Sequence, residues 1–170
     1  MQKKLNLKIK FRESFRPFAP SVIREKANKY FNLWDHDSPY MLLVGKVKNT
    51  YKENLNINYS NIIETLNMKR SEIPSVTHID NSARVQMVDK KTNPMFYDLI
   101  LEFEKLSGIP ILINTSFNVR GEPIVNTPED AFNCFMGTNL DILVLDDFIL
   151  YKHQQDKSLI KDYKNKFELD

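Results

Sequence analysis

The chain has 170 residues and a mass of 20.0 kDa, the size of one domain carrying at most a tail. Its 42% hydrophobic and 27% charged residues are enough to build a core, and no run nears the roughly 18 apolar residues of a membrane span. The formal charge of +2 at pH 7 excludes a polyanion binder by bulk charge. The charged N-terminus, MQKKLNLKIKFRESF, lacks the apolar stretch of a secretory signal. Cys134 is the one cysteine, so with three scattered histidines it forms neither an internal disulfide nor a Cys/His zinc cluster. A cytoplasmic, mixed α/β domain is expected.

In chain order, Lys4 to Lys10 alternates, with Leu5, Leu7 and Ile9 opposite the lysines, which predicts a half-buried strand. Pro17 and Pro20 in FRPFAPSV favour extended or turning chain. Ser21 reads as the N-cap of a short helix through Tyr30 and Phe31, and Tyr40 to Val47 as a strand. The Asn/Lys/Glu-rich stretch around 48–71 reads as a polar insertion and not as a domain boundary. Val85 to Val88 is a strand. Pro94 opens a helix whose Phe96, Leu99, Ile100, Phe103 and Leu106 recur at helical spacing, and Gly108 closes it. The run Pro110 to Ile113 predicts a strand covered on both faces. Thr127, with Pro128 at the first helical position and Asp130 three residues on, predicts a capped helix. Asp141 to Leu150 reads as a strand pair or one long strand, and 153–170 as a charged tail. Alternating strands and helices give the class α/β.

No P-loop, GxGxxG, HExxH or GxSxG signature is present. Three stretches carry the chemistry that remains. INTSFNVRGEPIV places Asn114, Thr115, Ser116, Asn118, Arg120, Gly121 and Glu122 in a loop after an apolar strand, where open α/β sheets put ligands. A plain polar turn would use the same residues. THIDNSARVQ offers His78, more often a satisfied loop histidine, and Arg84, suited to a bidentate phosphate contact or to an ion pair. KFRESFRPF brings Lys10, Arg12 and Arg16 to one face of an extended chain, where they repel unless an anion or an acid sits among them.

Taken together, FRESFRPFAPSV, SPYMLLV, VTHIDNSARVQ and PILINTSFNVRGEPIVNTPEDA resemble the C-terminal domain of the O-carbamoyltransferase family, which includes the nodulation, cephalosporin and tobramycin carbamoyltransferases. The resemblance covers roughly Leu5 to Lys152. It implies a YrdC-like twisted open mixed sheet flanked by helices, in a single domain over 1–152 with the insertion and the tail. It implies binding of carbamoyl phosphate and ATP, with Mg²⁺ on the nucleotide phosphates, to form carbamoyladenylate. A separate actin-like domain then passes the carbamoyl group to a hydroxyl acceptor. Matched motif to motif, the family's gripping lysine and arginine fall on Lys10 and Arg16, and a further arginine on Arg84. Its asparagine and serine fall on Asn114 and Ser116, while His78, Asn118 and Glu122 lie in matching blocks. The chain starts just after the family's GPRALG-type block and holds no actin-like half, so it is expected to need that half for transfer.

Two rival readings stay open, one an enzyme and one from a different class. One is a YrdC-like threonylcarbamoyl-adenylate synthase for transfer RNA, set apart by a need for threonine and bicarbonate. The other is a catalytically incomplete subunit that binds nucleotide or carbamoyl phosphate. A nucleic-acid arm at residues 3–16 is a weaker reading; it predicts steeply salt-dependent RNA affinity that is lost when Lys3, Lys4 and Lys8 are neutralised.

Overall fold

The computed structural model describes residues 1–49 and 68–167. Most of the polar insertion expected over 48–71 therefore lies outside the described residues, although Arg70 and Ser71 at its end are buried. No helix among the described residues is long and apolar enough to cross a membrane. The chain is α/β and divides into two compact units, residues 17–115 and residues 1–16 with 116–170.

The unit of residues 17–115 is built on a mixed five-stranded sheet: β1 (Ala19–Ile23), β2 (Phe31–Asn32), β3 (Leu43–Val47), β4 (Ser82–Val88) and β5 (Ile111–Asn114). Their order is β2-β3-β4-β1-β5, with β1 parallel to β4 and the other pairs antiparallel. The strand buried along its whole length is therefore β1, and not the PILI run, which forms the edge strand β5. Ser21 is accordingly a mid-strand residue and not a helix cap, because β1 runs on to Ile23 before α2 (Arg24–Tyr30) begins.

Helix α3 (Pro94–Ser107) starts at Asn93, whose side chain accepts from the Phe96 N–H, and ends on Gly108 at φ 76°. That left-handed position is one glycine occupies at little steric cost. Ile100, flanked by Phe96, Tyr97 and Leu101, packs on Ile23, Val88 and Leu112. Leu99 and Leu106, which the helical spacing assigned to the same stripe, instead face outward.

Gly45 in β3 shows how closely the chain is packed here. A Cβ at that position would lie 2.6 Å from Leu33 Cδ2 and 2.8 Å from the Asn32 carbonyl oxygen. Since a backbone atom blocks one side, Gly45→Ala is expected to cost about 2 to 3 kcal/mol by overpacking, which denaturant unfolding will read as a lower midpoint.

The other unit opens with the largest departure from the sequence reading. Residues 2–10 are not a strand but helix α1 (Gln2–Leu5) running into one π-helical turn, Asn6–Lys10. The less exposed positions, Gln2, Leu5, Asn6, Ile9 and Lys10, follow the helical period. The fully buried ones among them are the polar Asn6 and Lys10, so hydrophobic alternation pointed to the wrong period. Phe11 ends the turn in the left-handed region at φ 50°, and π turns of this kind recur at functional sites.

Helix α4 (Pro128–Gly137) carries the expected capping box, with the Thr127 hydroxyl accepting from the Asp130 N–H and the Asp130 carboxylate accepting from the Thr127 N–H. Its Ala131, Phe135 and Met136 pack on Leu143, Leu145 and Leu150 of the hairpin β6 (Ile142–Leu145) and β7 (Phe148–Tyr151). Lys152 Nζ donates to the Phe135 and Thr138 carbonyl oxygens, closing the helix's C-terminal end. The tail expected on the surface lies exposed as far as Asp162, but Tyr163 turns inward against Val119 and Cys134.

Candidate functional site

A cavity of about 460 Å³ in the unit of residues 1–16 and 116–170 is lined by Lys10, Arg12, Arg16, Ser116, Asn118 and Arg120, with Glu122 beside them. Arg12 and Arg16 arrive through Asn6. This residue has no exposed surface; its Nδ2 donates to the Arg16 carbonyl at 2.7 Å and the Ser14 carbonyl at 3.2 Å, and its Oδ1 accepts from Arg12 Nε at 2.6 Å. A single buried amide thus folds the loop 12–16 back over the π turn and turns its cations to one side. Asn6 carried no signal in the sequence, because a buried asparagine is recognised only by its partners.

Lys10 binds the two stretches of chain together. Its ammonium donates to the Ser116 carbonyl at 2.8 Å, the Asn118 carbonyl at 2.5 Å and Asn118 Oδ1 at 2.9 Å, with Ser116 Oγ at 3.4 Å. An ammonium has three protons, and three carbonyl-type oxygens take them. No acid offsets the charge within this group of partners. Burial, and then the neighbouring Arg12, lower the Lys10 pKa to about 8, so the amine is still a cation at pH 7. In this arrangement Lys10 supplies positive potential and holds the 116–118 loop.

The repulsion anticipated among Lys10, Arg12 and Arg16 is met by an acid that the sequence reading passed over. Glu13 pairs with Arg16 Nε at 2.8 Å and with Arg120 Nη1 at 3.4 Å. Its carboxyl is held below the ordinary range first by its own backbone N–H, with burial working against this, and then by Arg16 and Arg120. Arg120 is a second residue that sequence reasoning left without a role. Its backbone N–H is anchored on the Lys10 carbonyl at 3.1 Å, which brings it to the cavity wall. Burial and the Arg16 charge both press against the charge on Arg12. A group of four cations balanced by few acids favours an anion, and most strongly one of multiple charge.

The loop from Ser116 to Pro123 is held as firmly from behind. Ser116 Oγ donates to Asn118 Oδ1 at 2.6 Å, Asn118 Nδ2 donates to the Glu122 carbonyl at 2.8 Å, and the Val119 N–H donates to Glu122 Oε2 at 2.8 Å. Gly121 takes φ 76°, the turn that sends the chain back. Cys134 behind the loop is no nucleophile, since burial, and then Glu122, push its thiol up to about 12.

The remaining expected site residues lie in the unit of residues 17–115. Arg84 is exposed on β4, opposite Val44 of β3. Two residues along the same face, Gln86 Oε1 accepts from Asn114 Nδ2 at 2.7 Å and from Ser21 Oγ at 2.6 Å. This polar row fixes the Asn114 amide. His78 serves a turn: its N–H donates to the Ser82 carbonyl at 2.8 Å, and its Nδ1 lies 3.1 Å from Ser82 Oγ. Burial lowers its pKa, against Asp80 and in the same direction as Arg84. The structure therefore brings Lys10, Arg16, Ser116 and Asn118 together around one cavity, and sets Arg84, Asn114 and His78 in the other unit.

A family model described as "Carbamoyltransferase C-terminus" matches residues 1–152. The chain belongs to that family. An uncharacterized protein from Synechocystis is 52% identical over 173 residues, covering 100% of this chain and 28% of its own length. Nodulation protein NolO from Bradyrhizobium diazoefficiens is 38% identical over 151 residues, 88% of this chain and 24% of that protein. Nodulation protein U from Rhizobium tropici is 34% identical over 129 residues, 76% of this chain and 19% of that protein. The chain thus spans about a quarter of the length of the curated relatives it matches. The cationic cavity falls within the residues that the family model matches.

Proposed function

We propose that this domain binds carbamoyl phosphate and ATP and forms carbamoyladenylate, which an actin-like domain then uses to carbamoylate a hydroxyl. The observation that carries this reading is the cavity lined by Lys10, Arg12, Arg16 and Arg120 together with the Ser116 and Asn118 side chains, a set suited to phosphate oxygens beside a small amide. In the first step water releases phosphate from carbamoyl phosphate and leaves carbamate. A carbamate oxygen then attacks the α-phosphorus of ATP, and the bond from that phosphorus to the bridging oxygen breaks, so pyrophosphate departs. Finally the acceptor oxygen bonds to the carbamoyl carbon, AMP leaves with the adenylate oxygen, and the hydroxyl proton passes to solvent.

Such chemistry asks little covalent help of a protein; positioning and neutralisation of charge supply most of it. The arginines would hold phosphate oxygens in bidentate fashion, and the potential of Lys10 would disfavour loss of the bound anion. Ser116 and Asn118 would orient the carbamoyl group. Mg²⁺ would be carried on the nucleotide's own phosphates. Carbamate decays in water, so the adenylate is expected to pass directly to the actin-like partner.

The test is pyrophosphate release from ATP and Mg²⁺, with and without carbamoyl phosphate. Release that depends on carbamoyl phosphate and falls at least tenfold in both Arg16→Ala and Ser116→Ala supports the reading. Release that requires threonine and bicarbonate instead would replace it with the threonylcarbamoyl reading. Failure of the folded chain to bind carbamoyl phosphate in calorimetry would overturn it.

A further inference from the structure

Tyr163 lies eleven residues beyond the last residue matched by the family model, within a charged stretch, yet only 3% of it is exposed. Its ring packs with Val119 and Cys134, and meets Phe167 edge-on with centroids 5.2 Å apart. The space it fills exists because residue 137 is glycine: a Cβ there would lie 2.3 Å from Tyr163 Cβ. Its hydroxyl donates to Glu122 Oε1.

Glu122 is the hub of the cavity loop. Its other oxygen accepts from the Val119 N–H at 2.8 Å, and its carbonyl accepts from Asn118 Nδ2 at 2.8 Å. Asn118 Oδ1 accepts in turn from Ser116 Oγ at 2.6 Å and Lys10 Nζ at 2.9 Å. Through Glu122, hydrogen bonds therefore link the C-terminal segment to the Asn118, Ser116 and Lys10 side chains, three of those that line the cavity. Every member of that network is held in one direction by a partner, and networks of this kind set geometry more than any single bond does. Burial, and then Glu122, raise the pKa of the Tyr163 hydroxyl, so it stays a donor throughout the working pH range.

We infer that Tyr163 is a positioning residue for the anion cavity, fixing the Ser116–Pro123 loop through Glu122, with the C-terminal segment acting as its strap. Truncation at the end of the matched family region would then leave a folded α4 and hairpin beside a loosened site. The consequence for ligand rests on the proposed anion-binding function; the link from Tyr163 to the loop does not.

Amide hydrogen exchange and phosphate titration of the full chain separate the two. In Tyr163→Phe the ring and its packing remain and only the hydroxyl is lost. Exchange at the Val119 amide is expected to rise at least tenfold, and affinity for inorganic phosphate to fall about tenfold. In a Glu122→Ala background the added Tyr163→Phe change should alter either quantity by less than twofold, because a residue acting through another is silent once that one is gone. Unchanged exchange at Val119 in Tyr163→Phe, or effects of the two substitutions that multiply, would overturn the inference. Should Tyr163→Phe fail to fold, Glu122→Gln carries the same test, since a side-chain amide keeps an acceptor at only one of the two oxygen positions that Tyr163 and Val119 use. Wild-type chain that shows no phosphate binding would defeat the functional reading alone, with exchange at Val119 still deciding the role of Tyr163.

Discussion

Lys10→Met is expected to lower stability by about 3 kcal/mol and to abolish measurable binding of carbamoyl phosphate. The ammonium is the partner of the Ser116 carbonyl, the Asn118 carbonyl and Asn118 Oδ1, and each acceptor left dry costs about 1 to 3 kcal/mol. Ser116 is exposed, so water can replace one of the three bonds, which keeps the total near the lower end. Denaturant unfolding and calorimetry of the same sample measure the two effects.

The pH dependence gives a sharper test. The folded pKa of Lys10 is about 8, against 10.5 for a free lysine, so between those values the unfolded chain binds more protons than the folded one. The stability contribution of this group therefore rises with pH across about 8 to 10.5, and below 8 the burial penalty is constant. Anion affinity must run the other way, falling as the charge is lost through pH 8. Opposite slopes for melting temperature and carbamoyl phosphate affinity in the wild-type chain, the first of them flattened in Lys10→Met, are the expected result. Parallel slopes would show that Lys10 does not contribute its charge to the cavity.

The second large effect is expected from Arg16→Ala combined with Arg120→Ala. These guanidinium groups share Glu13 at 2.8 and 3.4 Å, and a charge-assisted bond to phosphate contributes about 1.5 to 3 kcal/mol when sheltered. Arg16 is half exposed, so solvent screening reduces its share. Phosphate affinity is expected to fall about tenfold in each single variant and about a hundredfold in the pair, with a shallower dependence on salt. Glu13→Gln should act in the opposite sense and tighten binding about threefold, because it removes the carboxylate that competes with the ligand for both arginines. Equal phosphate affinity in the double variant and wild type would place the anion site elsewhere.

What the sequence could show about this protein was what a few neighbouring residues encode. The capping box at Thr127 and Asp130, and Pro94 and Gly108 at the ends of α3, were readable because each is decided within one turn of chain. The family blocks gave the α/β class and the carbamoyltransferase relationship in the same local way. The tertiary structure decided the rest. The N-terminal segment became a helix and a π turn because its buried residues are Asn6 and Lys10, polar side chains whose partners lie up to 108 residues away. Hydropathy cannot register a buried polar group. The pairing of Glu13 with Arg120 and the inward turn of Tyr163 towards Glu122 were hidden for the same reason. A charged residue carries the same signal in sequence whether it faces water or a partner a hundred residues off, and only the folded chain determines which.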